Sequence, residues 1–182
     1  MTTCSTMPLR GESGQQAPRP RRILFVCTGN TCRSPMAAAL LYDRARRREL
    51  CSAVDPDAPP LPPMTVTSAG LYAEEGAPIT PDAVRALREA GVPSLPDHDY
   101  AAHRARSVTP ELMHEADEVI AISASHAMGL LMRFPECAAK ITTLPLDISD
   151  PFGGDLERYR ACLSEISYAL SLHHFSFGEG ES

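Results

Sequence analysis

The chain has 182 residues, of which 43% are hydrophobic, and a formal net charge of −6 at pH 7. This length and composition suit one domain with a sizeable core, and the negative charge argues against nucleic acid as a general partner. No apolar run approaches membrane-spanning length and the N-terminus lacks the apolar segment of a signal peptide. We therefore expect a cytoplasmic protein that does not bind membranes.

The six cysteines show no regular framework and no C-x-x-C pair. Neither a disulfide scaffold nor a zinc site is indicated, and we expect no bound metal. Residues 1–21 are rich in Gly, Gln, Pro and Ser, which is typical of a disordered leader. The predicted domain spans 22–175, with a proline-rich surface loop at 55–63 and a disordered tail at 176–182.

Strand and helix signals alternate along the predicted domain. Short apolar runs predict strands at 23–26, 65–68, 118–122 and 140–144. Apolar periodicity and cap residues predict helices at 34–48, 80–91, from 109 onward, at 125–134 and at 156–173. This alternation predicts an α/β fold, a doubly wound four-stranded parallel sheet with helices on both faces. In such a sheet a ligand binds beyond the carboxyl ends of the strands, which is where the residues after the first strand lie.

The stretch Cys-Thr-Gly-Asn-Thr-Cys-Arg at 27–33 joins the first strand to the first helix. A strand, a glycine-containing loop and a helix N-terminus in that order direct backbone N–H groups and the helix dipole at one point, where an anion binds readily. A cysteine beside a helix N-terminus and an arginine has its thiolate stabilised, as expected for Cys27. The Arg33 guanidinium fits two oxygens of a phosphate. This pairing predicts phosphoryl transfer to Cys27.

The residues between and after these two ends suit a tightly curled loop. Gly29 and Asn30 are the residue types that most readily adopt positive φ. Ser34 can cap the following helix and form a hydrogen bond with the Cys27 thiolate, while Pro35 suits the first helical position.

Over about residues 22–175 the chain resembles the low-molecular-weight protein tyrosine phosphatase family. The loop at 27–35 matches the family signature, Ser-Ala-Gly at 68–70 matches a second landmark, and Asp150 followed by proline matches the general-acid loop. The family fold is a four-stranded parallel sheet flanked by helices, as the periodicity also predicts. The resemblance implies that the chain needs no cofactor and acts on a phosphorylated protein.

The resemblance also implies residue roles. Cys27 would attack phosphorus, Arg33 and the backbone N–H groups of 28–33 would hold the oxygens, and Asp150 would protonate the leaving group and later activate water. His103 lies in a stretch that supports the signature asparagine, Asn30. The residues expected to bind the phosphate or the substrate are Thr28, Gly29, Asn30, Thr31, Cys32, Ser34 and Phe152.

Two positions bear on which phosphorylated side chain is cleaved. Members that act on phosphotyrosine commonly have an aliphatic residue at the position of Thr31 and a second aromatic at the position of Gly153. The bacterial protein-arginine phosphatase branch, with threonine in the loop and Asp-Pro-Phe-Gly-Gly at 150–154, resembles this chain more closely. We therefore favour phosphoarginine as the substrate, with phosphotyrosine as the alternative.

Cys32 introduces a redox hypothesis, because family members commonly carry this second cysteine near the nucleophile. A Cys27–Cys32 disulfide would inactivate the enzyme reversibly. A remote alternative is a thiol-dependent arsenate reductase, which needs further cysteines in a mobile segment, but residues 90–136 contain none. A phosphate-binding module without turnover would lack the nucleophile, the arginine or the acid, and this chain has all three.

Overall fold

The structure, a computed structural model, describes residues 19–54, 63–173 and 175. Its centre is a four-stranded parallel sheet with the strand order β2-β1-β3-β4. The strands are β1 (Arg21–Cys27), β2 (Met64–Gly70), β3 (Glu118–Ala121) and β4 (Ile141–Thr143). The helices are α1 (Arg33–Val54), α2 (Pro81–Glu89), α3 (Pro110–Glu115), α4 (Ala124–Arg133) and α5 (Leu156–Leu172). Short 3₁₀ turns cover Tyr100–Ala102 and Pro135–Lys140.

Strand β1 has apolar side chains on both faces, as a central parallel strand requires. Ile23 and Phe25 are buried in one core cluster, which also contains side chains from α1, α2 and α5. Leu24 and Val26 are buried in a second cluster with side chains from α3 and α4. Helices therefore cover both faces of the sheet, and the predicted doubly wound α/β fold is confirmed.

The helices begin within one residue of the predicted positions, but two predicted caps do not form. Ser34 lies inside α1, and its hydroxyl contacts Cys27, Asn30 and the Ala69 carbonyl oxygen instead of capping the helix. Thr109 caps α3 by accepting a hydrogen bond from the backbone N–H of Leu112, and Asp155 caps α5 in the same way. Thr80 precedes α2 but makes no side-chain cap. Its hydroxyl donates instead to the carbonyl oxygen of Thr31 at 3.4 Å, and its backbone N–H donates to the same oxygen at 2.9 Å. This cap position therefore holds the loop after β1.

The predicted boundaries differ from the observed ones at the end of α1, which runs to Val54 instead of residue 48, and at the start of the domain. Strand β1 begins at Arg21, two residues before the predicted strand, because Arg21 pairs with Met64. Arg19, which the sequence assigned to the leader, donates two hydrogen bonds to the Asp117 carboxylate at 2.9 and 2.7 Å. The rest of the predicted leader (1–18), residues 55–62 of the predicted surface loop and the predicted tail (176–182) lie outside the described residues.

Within residues 19–54, 63–173 and 175, no helix combines the length and the apolar character that a membrane span needs.

Gly70 ends β2 beside Cys27, its partner in the β1–β2 register. A Cβ atom at Gly70 would lie 2.6 Å from the carbonyl oxygen of Thr28 and 3.0 Å from the backbone nitrogen of Asn30. Both are main-chain atoms, so neither can move aside without deforming the loop. The close approach of β2 to the loop therefore requires glycine at this position.

We expect Gly70→Ala to lower the free energy of unfolding by about 1–3 kcal/mol, the usual cost of overpacking. Urea denaturation measures this change. Gly29→Ala is the matched control, since a Cβ there meets nothing closer than the Thr31 hydroxyl at 3.8 Å. Equal losses in the two variants would show that the loop, rather than the contact from β2, is sensitive to any added methyl group.

Candidate active site

The sulfur of Cys27 lies at the end of β1, buried beneath the loop that leads into α1. Its Sγ atom is 3.0 Å from the hydroxyl oxygen of Ser34, in the first turn of α1. The backbone N–H of Asn30 donates to the same sulfur at 3.3 Å. Both contacts are directed at the atom that carries the negative charge when cysteine acts as a nucleophile.

Asn30 holds the loop in shape. Among the residues that the structure describes, Asn30 is the non-glycine residue that has a positive φ, 57°. Its side-chain amide donates to the hydroxyl oxygens of Ser34 and Ser68, both at 2.9 Å, and its Oδ1 accepts from the backbone N–H of Arg106 at 3.0 Å. Its carbonyl oxygen accepts from the His103 ring at 2.9 Å. Groups from α1, β2 and the segment that carries Arg106 therefore meet at one side chain.

His103 contacts Asn30, as the resemblance implied, but through the Asn30 main chain rather than its side chain. Because a carbonyl oxygen only accepts, Nε2 of His103 must carry a proton and donate it. Burial lowers the pKa of His103, and the cations Arg106 and Arg104 act in the same direction. His103 lies behind the loop and supports it from outside the pocket.

Arg33 and Asp150 meet at the mouth of the site. Nη2 of Arg33 donates to Oδ2 of Asp150 at 2.5 Å. The Arg33 side chain is 9% exposed, whereas that of Asp150 is 51% exposed. The other carboxylate oxygen of Asp150 accepts from the backbone N–H of Phe152 at 3.1 Å, forming a turn that orients the acid. A half-exposed carboxylate held by one turn can exchange one partner for another at little cost.

The predicted residues form one cavity of about 200 Å³. Its lining is Cys27, Thr28, Gly29, Asn30, Thr31, Cys32, Arg33, Asp150 and Phe152. Phe152 stands at the rim with its side chain largely exposed. Of the predicted site residues, Ser34 and His103 are outside this lining and contact the loop from behind. The cavity thus brings a nucleophile, a cation and an acid within reach of one small anion.

Cys32 is buried and faces α5. Its sulfur is 3.5 Å from the Tyr159 hydroxyl of α5 and 3.6 Å from the hydroxyl oxygens of Thr31 and Thr80. Burial, together with the contact with Cys32, raises the pKa of Tyr159 to about 12. Helix α5 therefore contributes a neutral hydroxyl that contacts Cys32 from outside the cavity lining.

His126 belongs to the site although the sequence analysis did not identify it. It is buried in α4, with Nε2 2.9 Å from the Thr28 hydroxyl oxygen and Nδ1 2.7 Å from the Ser123 hydroxyl oxygen. The same Thr28 oxygen accepts from Nη2 of Arg33 at 3.4 Å. His126 therefore orients the hydroxyl that contacts the Arg33 guanidinium.

The strand order explains why His126 lies beside the loop, although no local sequence pattern marks this residue. Strand β3 is adjacent to β1, so the residues that follow β3 lie beside the loop that follows β1. Burial lowers the pKa of His126 to about 4, and the Arg33 cation acts in the same direction, against weaker opposite effects of Asp150 and Asp147. The ring is therefore neutral at pH 7.

Among the described residues, one group of side chains has the composition of a metal site. His114, Glu136 and Cys137 present ligand atoms within 4.8 Å of one another, outside the cavity lining. Nδ1 of His114 is already bonded to the carbonyl oxygen of Pro110 at 2.7 Å. The Lys140 ammonium donates to the carbonyl oxygen of His114 at 3.2 Å, which places a positive charge beside the group. We assign no metal to it.

A curled anion-binding loop with a buried cysteine, carried by a doubly wound sheet, defines a cysteine-dependent phosphatase. Residues 22–176 match the family described as low molecular weight phosphotyrosine protein phosphatase, and because this match covers most of the chain, the chain belongs to that family. The resemblance stated from the loop motif is confirmed.

Named relatives agree with this assignment. The protein-arginine-phosphatase of Geobacillus stearothermophilus is 40% identical over 154 residues, covering 81% of this chain and 89% of that protein. That of Bacillus subtilis strain 168 is 36% identical over 155 residues, covering 81% and 91%. A solved structure of a YwlE arginine phosphatase mutant with a phosphorylated active site serine is 34% identical, with a TM-score of 0.68, covering 82% of this chain and 90% of that one.

We expect His126→Asn to weaken the acid sensitivity of folding. Because the folded state keeps the ring neutral, the unfolded chain takes up a proton first, below pH 6.5, and the folded chain only near pH 4. Wild-type stability should therefore fall as the pH drops through this window, and the variant should lose less.

Urea denaturation at several pH values measures this difference. Ser125→Ala is the control, since it leaves the imidazole in place and removes only a hydroxyl that contacts Ser123 at 2.9 Å. A variant whose stability depends on pH as steeply as that of the wild type would show that His126 is not held neutral.

Proposed function

We propose that this protein hydrolyses phosphoarginine side chains of proteins, with Cys27 as nucleophile. The observation that carries the choice of substrate is Thr31, whose side chain lines the same small cavity as Cys27 and Asp150. Relatives named protein-arginine-phosphatase, at 40% and 36% identity, support the same substrate class. The catalytic roles given below are part of this proposal.

In the first step the Cys27 thiolate attacks phosphorus. A sulfur–phosphorus bond forms while the bond from phosphorus to the guanidine nitrogen breaks, and the electron pair leaves with that nitrogen. Asp150 gives its proton to the departing nitrogen. Arg33 and the backbone N–H groups of residues 28–33 hold the three equatorial oxygens, where negative charge accumulates.

In the second step water attacks the cysteinyl-phosphate. Asp150, now a carboxylate, takes a proton from this water as the oxygen–phosphorus bond forms. The sulfur–phosphorus bond breaks, Cys27 leaves as a thiolate, and inorganic phosphate is released. The contacts of Cys27 Sγ with the Ser34 hydroxyl and the Asn30 N–H are available to the sulfur as it becomes an anion again.

Substrate binding must replace the Arg33–Asp150 ion pair. A phosphoryl group bound by Arg33 competes with the Asp150 carboxylate for the same Nη2 group. An ion pair with a half-exposed member contributes only about 0–1 kcal/mol, whereas a bidentate phosphate contact is a stronger, charge-assisted pair. The exchange frees Asp150 from Arg33, and the freed carboxylate takes up a proton from solvent before it protonates the leaving nitrogen.

Thr31 is placed to recognise a guanidinium. Its carbonyl oxygen is held by Thr80, so the backbone stays in position whatever the side chain is. Its hydroxyl oxygen makes one weak contact, with the Cys32 sulfur at 3.6 Å, and can accept a hydrogen bond from a substrate N–H group. An aliphatic residue there would leave a buried guanidinium donor unpaired, at a cost of about 1–3 kcal/mol.

The loop after Asp150 offers one aromatic wall. Phe152 lines the cavity, and the next residue, Gly153, has a φ of +76°, a conformation that an aromatic residue adopts only with strain. One ring suits a flat guanidinium, which stacks on aromatic faces. The same ring can stack on a phenyl group, and the family description names phosphotyrosine, so phosphotyrosine is the second candidate substrate.

The test is paired hydrolysis of a phosphoarginine protein and a phosphotyrosine peptide by the purified chain. We expect phosphoarginine to be preferred. Thr31→Ile should lower kcat/KM for phosphoarginine about 10- to 100-fold, as the loss of one buried hydrogen bond predicts, and shift the preference toward phosphotyrosine.

Two further variants complete this test. Cys27→Ser is the blank, and Thr31→Ser keeps the hydroxyl and should retain the preference for phosphoarginine. A phosphotyrosine preference in the wild type that Thr31→Ile leaves unchanged would contradict the substrate assignment. Absence of turnover with either substrate would overturn the proposal as a whole.

We also propose that Cys32 protects Cys27 by forming a disulfide with it under oxidation. Both are free thiols, five residues apart in the curled loop. Cys162 is buried beneath them, and burial raises its pKa to about 12, so it stays an unreactive thiol. The loop pair is therefore the reactive one among these three cysteines.

Mild peroxide followed by a dithiol reductant distinguishes reversible from irreversible inactivation. We expect the wild type to recover its activity and Cys32→Ala to remain inactive, because an unprotected Cys27 passes to the sulfinic acid. Cys162→Ala should recover like the wild type. Full recovery of Cys32→Ala would contradict the proposed disulfide.

A further inference from the structure

A second cavity, of about 280 Å³, lies behind the phosphate loop. It is bounded by the start of α1, by β2 and by residues 98–106. None of its lining residues belongs to the lining of the active-site cavity. At roughly 30 Å³ for each molecule of liquid water, it has room for about nine waters.

The lining of this cavity includes residues that hold Asn30. The Ser68 hydroxyl accepts a hydrogen bond from the Asn30 side-chain N–H. The Arg106 backbone N–H donates to Asn30 Oδ1, and the His103 ring donates to the Asn30 carbonyl oxygen. A molecule in the rear cavity would therefore touch three of the groups that fix the backbone of the phosphate loop, without entering the active site.

Two arginines, Arg104 and Arg106, line this cavity. Arg106 donates through Nε to the carbonyl oxygen of Ser68 at 3.0 Å, and Arg104 donates through Nη1 to the carbonyl oxygens of Ala102 and His103. Among the described residues, the remaining guanidinium N–H groups of Arg104 and Arg106 have no hydrogen-bond partner.

The acid in the lining does not balance these donors. Asp99 already accepts from the Ser94 hydroxyl and from the backbone N–H groups of Ala101 and Ala102, where it caps a 3₁₀ turn. Burial lowers the pKa of Arg106, against opposite effects of the Glu75 and Glu115 carboxylates, which lie outside the lining. The remaining N–H groups of both arginines face solvent, and an added anion would give them charged acceptors in place of water.

We propose that the rear cavity binds a small organic anion through Arg104 and Arg106, and that the bound anion steadies the phosphate loop through Asn30. Carboxylate and phosphate oxygens match the fork of a guanidinium. The apolar wall made by Pro35, Ala38 and Val66 accommodates a carbon skeleton beside the charged groups. The site is regulatory, since an occupant contacts the supports of the loop and leaves Cys27 accessible.

Citrate is the probe, because it carries several carboxylates on a short carbon skeleton. Isothermal titration calorimetry of the full chain should show saturable binding, weakened at least tenfold by Arg104→Gln. Arg104 is exposed and its bonds are to carbonyl groups of its own segment, so this variant should fold. Arg85→Gln is the matched control, an exposed arginine of α2 paired with Glu89, and should bind citrate like the wild type.

The active site must be separated from the rear cavity. Arg33→Ala removes the guanidinium of the active site and should leave citrate binding intact, with circular dichroism as the check on its folding. In wild-type kinetics citrate should not act as a competitive inhibitor. Loss of binding in Arg33→Ala, or competitive inhibition, would assign citrate to the active site and overturn the proposal.

Hydrogen exchange measures whether citrate in the rear cavity affects the phosphate loop. Saturating citrate should slow amide hydrogen exchange at residues 28–33 several-fold in the wild type and have no such effect in Arg104→Gln. Absence of binding, equal binding by Arg104→Gln, or unchanged exchange in the wild type would each contradict the proposal. The calorimetry and the hydrogen-exchange measurements use no turnover, so they stand apart from the choice between phosphoarginine and phosphotyrosine.

Discussion

The hydrogen bonds of Asn30 determine the shape of the site. Its backbone is left-handed, a conformation that asparagine tolerates better than most residues. Both amide protons, the amide oxygen, the backbone N–H and the carbonyl oxygen all have partners within the protein. With each bond contributing about 1 kcal/mol, together they offset the strain of the turn and leave the neighbouring N–H groups directed at one point. A loop that is already shaped in this way needs little rearrangement to bind a phosphoryl group.

The parallel sheet explains why these partners come from distant parts of the chain. Strand β1 is paired on both sides, so its carboxyl end lies between the carboxyl ends of β2 and β3. Strand β2 contributes Ser68 and the close approach of Gly70, and the turn after β3 leads to His126. The segment between β4 and α5 carries Asp150 to Arg33. Each strand supplies one group at the same edge, as expected for a doubly wound fold.

Local pattern was sufficient for the strand–loop–helix unit and for most helix starts, because those features depend on residues close in sequence. Contacts between distant segments could not be predicted in the same way. The Thr80 hydroxyl was expected to cap α2, but the carbonyl oxygen of Thr31 competes for it. No residue near His126 in the sequence indicates a role in the site, because that role depends on the adjacency of β3 and β1 in the sheet. Arg19 was assigned to the leader because its partner, Asp117, lies 98 residues away.

The residues that hold the loop in shape differ from Thr31 and Phe152, whose side chains line the cavity, and this difference affects how such enzymes diverge. The structural hydrogen bonds of Thr31 are made by its carbonyl oxygen, and the Phe152 side chain projects from the rim into solvent. Substitutions at either position alter what the cavity accepts while leaving the Asn30 network and the buried sheet untouched. Substitutions at these two positions therefore cost little folding stability. Under the proposed function, a lineage can change the phosphorylated side chain that it cleaves through a few nearly neutral substitutions.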